Sequence, residues 1–218
     1  MRSVFLLLAT SIGALTSSSA IAEEDLRGGF TTFVHFGSSY VKQADEAVLF
    51  NNGVQVPGAD FSTEGDLTMS VETGIMLRKG LAIAAFGTVP TTISNIAGGT
   101  LTGLGNLGDE SVGYYSLTGQ YHFNLRGSIS PYVGAGLGYV HVFGTADGVV
   151  TNLDIASAWG GVVQVGLNAW FNDRIGVFAD VKRFWVDTTA SGTLGPNTIT
   201  ANATVNPWVF TYGLGIRF

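Results

Sequence analysis

The chain has 218 residues, no cysteine, a formal net charge of −6, only 12% charged residues, 31 glycines and a mean hydropathy of +0.33. The acidic balance argues against nucleic acid, whose phosphates need a basic face, and the missing cysteines remove disulfides and thiolate metal sites. A sequence this apolar and glycine-rich, far below the roughly 25% charge of a soluble domain, should cross a membrane as helices or close into a barrel.

In chain order, residues 1–22 read as a cleaved secretory signal. Arg2 precedes an apolar core from Val4 to Leu15, and small residues end at Ala20-Ile21-Ala22 before Glu23-Glu24-Asp25. Residues 23–218 are then expected to form one exported β domain. Eight segments follow with a period of two, which is a strand's period. The first, Phe30 to Val41, sets Phe30, Val34 and Phe36 against Thr31, Phe33 and His35. The second, Asp66 to Leu77, turns Leu67, Met69, Val71 and Ile75 outward and Glu72 and Gly74 inward. Leu81 to Thr92 turns Leu81, Ile83 and Ala85 outward and Phe86 inward. Ser111 to Phe123 alternates Tyr115, Leu117 and Tyr121 with Tyr114, Ser116, Gln120 and His122.

The fifth and sixth segments, Ile129 to Phe143 and Ile155 to Phe171, lie within uncharged stretches long enough for membrane helices. Gly134, Gly136, Gly138 and Gly144 follow Pro131 in the first of them, and each glycine costs a helix about 1 kcal/mol relative to alanine. As a strand the same residues line up Val133, Ala135, Leu137 and Tyr139 on one face, with Tyr132 on the other. Ile175 to Asp187 sets Val177, Ala179 and Val181 against Asp180 and Lys182. The last segment, Trp208 to Phe218, alternates Trp208, Phe210, Tyr212, Leu214, Ile216 and Phe218 with small or polar residues and Arg217.

The connections alternate short and long. Arg78-Lys79-Gly80, Asn124 to Ser128 and Asn172-Asp173-Arg174 are tight, whereas Lys42 to Gly65, Ile93 to Glu110, Thr145 to Asp154 and Thr188 to Asn202 are long loops. That pattern predicts an all-β, up-and-down antiparallel barrel of eight strands in the bacterial outer membrane, with both termini periplasmic. Aromatics near strand ends, Trp159, Trp170, Trp185 and Trp208 among them, fit interfacial girdles.

Several segments resemble the OmpW family of small outer-membrane barrels. The similar stretches are Pro131 to Tyr139, Trp159-Gly160 with Gln164-Val165-Gly166, Val186 to Ala190, and Asn206-Pro207-Trp208-Val209-Phe210 running on to Arg217-Phe218, with weaker similarity at Phe36-Gly37-Ser38 and Gly87 to Pro90. The resemblance implies a barrel that carries small hydrophobic molecules into or across the outer membrane through a porin-like but narrow channel. It implies a hydrophobic constriction at Phe86 and Trp159, and a terminal Phe218, with Tyr212, in the signal read by the barrel-assembly machinery. Phe86 is inward by parity; Trp159 is outward and needs a bulge to reach the lumen.

An eight-stranded barrel holds little more than its own side chains or one small ligand, so a wide pore is excluded. Inward glycines are expected to vacate volume that Phe33, Phe86, Tyr114 and Tyr132 make apolar, which suits a small hydrophobic ligand. His35, Glu72, Asp180, Lys182 and Arg217 are the inward ionisable residues, and they either pair as a plug beneath the pocket or stand scattered in a solvated lumen. Arg183, outward by parity, belongs near the outer interface. The three histidines, His35, His122 and His141, lack the nucleophile and carboxylate spacing of an enzyme or metal site, so neither catalysis nor a cofactor is expected. The alternative function is a structural or adhesive barrel acting through its loops.

Overall fold

The computed structural model describes residues 32–218 except 44, 64, 79 and 126. The expected signal Met1–Ala22, the first-strand residues Phe30 and Thr31, and Lys79 of the first tight turn lie outside the described residues. Everything described is strand or turn: β1 Thr32–Lys42, β2 Asp45–Asn51, β3 Val54–Gln55, β4 Ala59–Thr63, β5 Asp66–Arg78, β6 Leu81–Thr88, β7 Thr91–Gly99, β8 Asn106–His122, β9 Ile129–Asp147, β10 Thr151–Ile155, β11 Ala158–Trp170, β12 Ile175–Leu194, β13 Asn197–Val205 and β14 Trp208–Arg217.

Eight of these close a ring in the order β1, β5, β6, β8, β9, β11, β12, β14, every neighbour antiparallel. The last pairs with the first, from Phe33 opposite Arg217 to Lys42 opposite Trp208, so the ring has no open edge. Alternation decides which way each residue faces. Leu67, Leu117, Leu137, Val165 and Leu214 are more than half exposed, while Phe33, Ser39, Thr118, Gln120 and Val209 are buried inside. An apolar belt facing outward over a polar filling is stable only in lipid.

One end of the barrel carries tight turns and the other carries long hairpins. At the turn end Gly80 has φ +91, and a Cβ there would strike the His122 carbonyl, so the β5–β6 turn requires glycine. The hairpin end differs from the sequence expectation, because the predicted long loops are mostly strand. The wall continues upward as β12 and β13, paired from Val186–Val205 to Leu194–Asn197 and turned at Gly195 (φ +58) and Pro196. β2 adds to β13, β4 to β7, and β10 to β12. The expected third strand, Leu81 to Thr92, is broken at Val89-Pro90, where proline has no N–H to donate. The expected sixth strand starts at Ala158 instead of Ile155, because Ile155 pairs within β10.

Candidate functional site

At membrane level the lumen is filled. Glu72 on β5, Lys182 and Asp180 on β12 meet at its centre, with Lys182 Nζ 2.9 Å from Glu72 Oε2 and 2.6 Å from Asp180 Oδ1. Gln120 Nε2 donates to Glu72 Oε1 at 3.2 Å, the Tyr132 hydroxyl donates to Asp180 Oδ2 at 3.0 Å, and His35 Nδ1 lies 3.5 Å from Glu72 Oε1. Five strands thereby contribute to one desolvated cluster. Such a cluster obstructs the axis, and its charges hold each other in place because none can be left unpaired away from water.

Below it, toward the turn end, the rings of Phe33 and His122 pack 5.1 Å apart and His122 stacks on Tyr132 at 4.9 Å. Arg217 belongs to this floor and not to the ion pairs. Its Nε donates to the Asp173 carbonyl at 2.8 Å, its Nη1 to the Leu125 carbonyl at 3.3 Å, and its guanidinium lies over the Trp170 ring. One side chain thus ties two tight turns together.

The inward glycines do not leave this region empty, contrary to the sequence expectation. The Phe33 ring occupies the space at Gly74, the Tyr132 ring that at Gly166, and the Phe184 ring that at Gly138. Phe33 and Tyr132 sit directly opposite their glycines in the ladders, so each bulky ring is accommodated by a missing Cβ on the next strand. Above the ion pairs, Phe86, Tyr114 and Phe184 form an apolar layer with Val41, Ile93 and Val112. Lys182 Nζ lies 4.2 Å from the Phe86 ring centroid, which joins this layer to the charges beneath.

Trp159 is elsewhere. It is 70% exposed and stacks on Tyr139 at 4.4 Å on the lipid-facing side. The β9–β11 register runs unbroken through Trp159–Tyr139, so no bulge turns the indole inward, and the constriction implied at this residue is not formed by it. Tyr212 and Phe218 are also exposed on the outer face.

The open space lies at the hairpin end. A cavity of about 100 Å³, opening to solvent, is lined by Leu49, Phe61, Leu107, Val150, Leu153 and Ile199 with smaller residues between them. Gln43 reaches from its base to donate to the Tyr114 hydroxyl at 3.2 Å, so the chamber rests on the apolar layer. The pocket expected among Phe86, Tyr114, Phe33 and Tyr132 is not open there: the first two lie beneath the chamber and the others below the ion pairs. The signal that could have found the chamber is the apolar alternation within the presumed loops, as in Thr198-Ile199-Thr200-Ala201-Asn202-Ala203.

The chamber wall has two seams without a backbone ladder among the described strands, one between β9 and β10 and one between β2 and β4. At the first, side chains substitute: Thr145 Oγ1 donates to the Leu153 carbonyl at 2.5 Å, Leu153 N to Asp147 Oδ1 at 3.0 Å and Val142 N to Ser157 Oγ at 3.0 Å. A second cleft, lined by Ala156, Ser157 and exposed residues of β12 and β13, shares Thr188 and Ala203 with the chamber.

Comparison with known proteins gives a family and a fold. The profile of the OmpW family matches residues 28–218. Outer membrane protein AlkL of Ectopseudomonas oleovorans is 27% identical over 192 residues, 88% of this chain and 83% of that protein, and its solid-state NMR structure in lipid bilayers superposes with a TM-score of 0.70, covering 88% and 91% of the two chains. A protein of Pseudomonas aeruginosa named dibenzothiophene metabolism operon protein PahQ is 27% identical over 172 residues, 79% of this chain and 81% of its own. The crystal structure of OprG from Pseudomonas aeruginosa superposes with a TM-score of 0.81 at 20% identity, over 88% of this chain and 97% of that one, and shows the shared fold.

Proposed function

The chain belongs to the OmpW family of outer-membrane barrels, and from that premise we propose that it takes up small hydrophobic molecules through the chamber at its hairpin end. The hairpin end faces outward, the tight turns and both termini face the periplasm, and residues 1–22 are the cleaved signal. The observation that carries this reading is an apolar chamber seated on a lumen that ion pairs obstruct. A hydrophobic guest enters such a chamber readily, since ligand sites are concave and mostly apolar. It does not continue down the axis, because passage would separate Glu72, Lys182 and Asp180 in a dry interior. The remaining path is sideways through the β9–β10 seam toward lipid, where the guest again finds an apolar solvent.

The name of one relative supports the substrate class: dibenzothiophene, in the name of PahQ, is itself a small apolar molecule. The role is that of a conduit and not an enzyme, and Phe218 with Tyr212 serves recognition by the assembly machinery. Ala201 lines the chamber, so Ala201→Trp fills it without touching the charges below. Calorimetry on the refolded barrel should show binding of a small apolar probe that this substitution removes. A barrel indifferent to every apolar probe would favour the display reading, in which the hairpins meet a partner.

A further inference from the structure

The charge along the barrel axis is broken at one place. The segments 43–65, 91–112, 141–158 and 184–207, whose described residues build the hairpin end, hold nine of the 16 acidic residues of the sequence and no Lys or Arg. Two cations stand at their base, Lys42 and Arg183, and the register sets both against one residue. Lys42 on β1 pairs with Trp208 on β14, and Trp208 pairs with Arg183 on β12. Strands are about 4.8 Å apart, so the two Cα atoms lie roughly 10 Å from each other across a single tryptophan.

The three side chains share the lipid-facing side. Lys42 and Trp208 are exposed, and the Arg183 guanidinium lies 4.8 Å from the Trp208 ring centroid. Arg183 Nη1 donates to the Asn206 carbonyl, which fixes the fork in position and leaves further N–H groups to aim outward. Trp208, and Trp185 one step beyond Arg183, mark the depth of a membrane interface, and the exposed Asp187 one further step along marks water. Among the described residues neither cation has a carboxylate within ion-pair distance. The wall at β8, β9 and β11 carries Tyr115, Tyr139 and Trp159 at this level with no Lys or Arg.

We propose that Lys42 and Arg183, on either side of Trp208, bind a phosphate group of a phosphorylated glycolipid of the outer leaflet. The assignment rests on the orientation given under Proposed function, which puts these residues at that leaflet. A guanidinium fork and an ammonium are complementary to phosphate, and Trp185 offers an apolar face to the sugar that bears it. The acidic segments above repel the same phosphates unless divalent cations bridge them. The pair is therefore the direct anchoring point, and it does not depend on divalent cations.

Native mass spectrometry of the refolded barrel with bisphosphorylated lipid A tests this. One lipid should remain bound in EDTA, and Lys42→Gln with Arg183→Gln should weaken its retention by about tenfold or more, as expected for losing charge-assisted hydrogen bonds. Arg183→Lys with Lys42 intact should keep part of the affinity, and millimolar inorganic phosphate should not displace the lipid. Equal retention by the double variant, equal retention of a dephosphorylated lipid, or equal retention of phosphatidylglycerol would overturn the proposal. Thiol labelling of Gly195→Cys on intact cells separates the two readings: failure to label overturns the orientation, whereas labelling of a barrel indifferent to lipid phosphate overturns the lipid site alone.

Discussion

Lys182 is the residue on which the obstruction turns. It touches Glu72, Asp180 and the Phe86 ring together, so removing it leaves two carboxylates facing each other in a dry interior. Lys182→Met should lower the stability of the barrel by about 3–5 kcal/mol, the range for deleting one partner of a buried pair. Urea unfolding in lipid vesicles measures this. Adding Glu72→Gln and Asp180→Asn should restore most of the loss, because no unpaired charge then remains. An unchanged midpoint for Lys182→Met would mean that water already solvates these groups and that the axis is open. Parity in the sequence puts all of these side chains in the lumen but cannot set their height, and Arg217, inward by the same parity, lies at the turn end away from the central charges.

Among the elements, the β9–β10 seam is the weak join in the chamber wall, held by side-chain hydrogen bonds where a ladder would otherwise run. The chain has no cysteine, so Val142→Cys and Ser157→Cys can be bridged cleanly by a short bis-thiol reagent. The bridged barrel should still bind an apolar probe but should pass it to vesicle lipid far more slowly, as read by stopped-flow fluorescence, and reduction should restore transfer. Undiminished transfer would exclude this seam as the exit. Strands inside the bilayer were legible because lipid demands one strictly apolar face, as in Leu67-Thr68-Met69-Ser70. Their continuations into water lack that demand. β13 reads Asn-Thr-Ile-Thr-Ala-Asn-Ala-Thr-Val, small and polar enough to pass for loop, so its alternation at Ile199, Ala201 and Ala203 is a weak signal and its pairing with β12 and β2 makes the strand plain. Trp159 shows the opposite case, where unbroken parity gave the right face and the family resemblance suggested the wrong one.

For the whole molecule, the same alternation builds two different compartments. Within lipid a closed ring is packed with rings set against glycines and with a paired charge cluster; above it the wall encloses an apolar chamber with interrupted joins. On the proposed function the division of labour is physical: a sealed core would preserve the permeability barrier, and the chamber would lower the cost of moving an apolar molecule out of water. The most direct measurement is paramagnetic relaxation from a spin-labelled apolar guest, read at methyl groups of the barrel in lipid. A guest held in the chamber attenuates Leu49, Leu153 and Ile199 and spares Met76 and Ala82 beneath the charges. Equal attenuation at Met76 and Ala82 would contradict a sealed lumen and place the guest on an axial path.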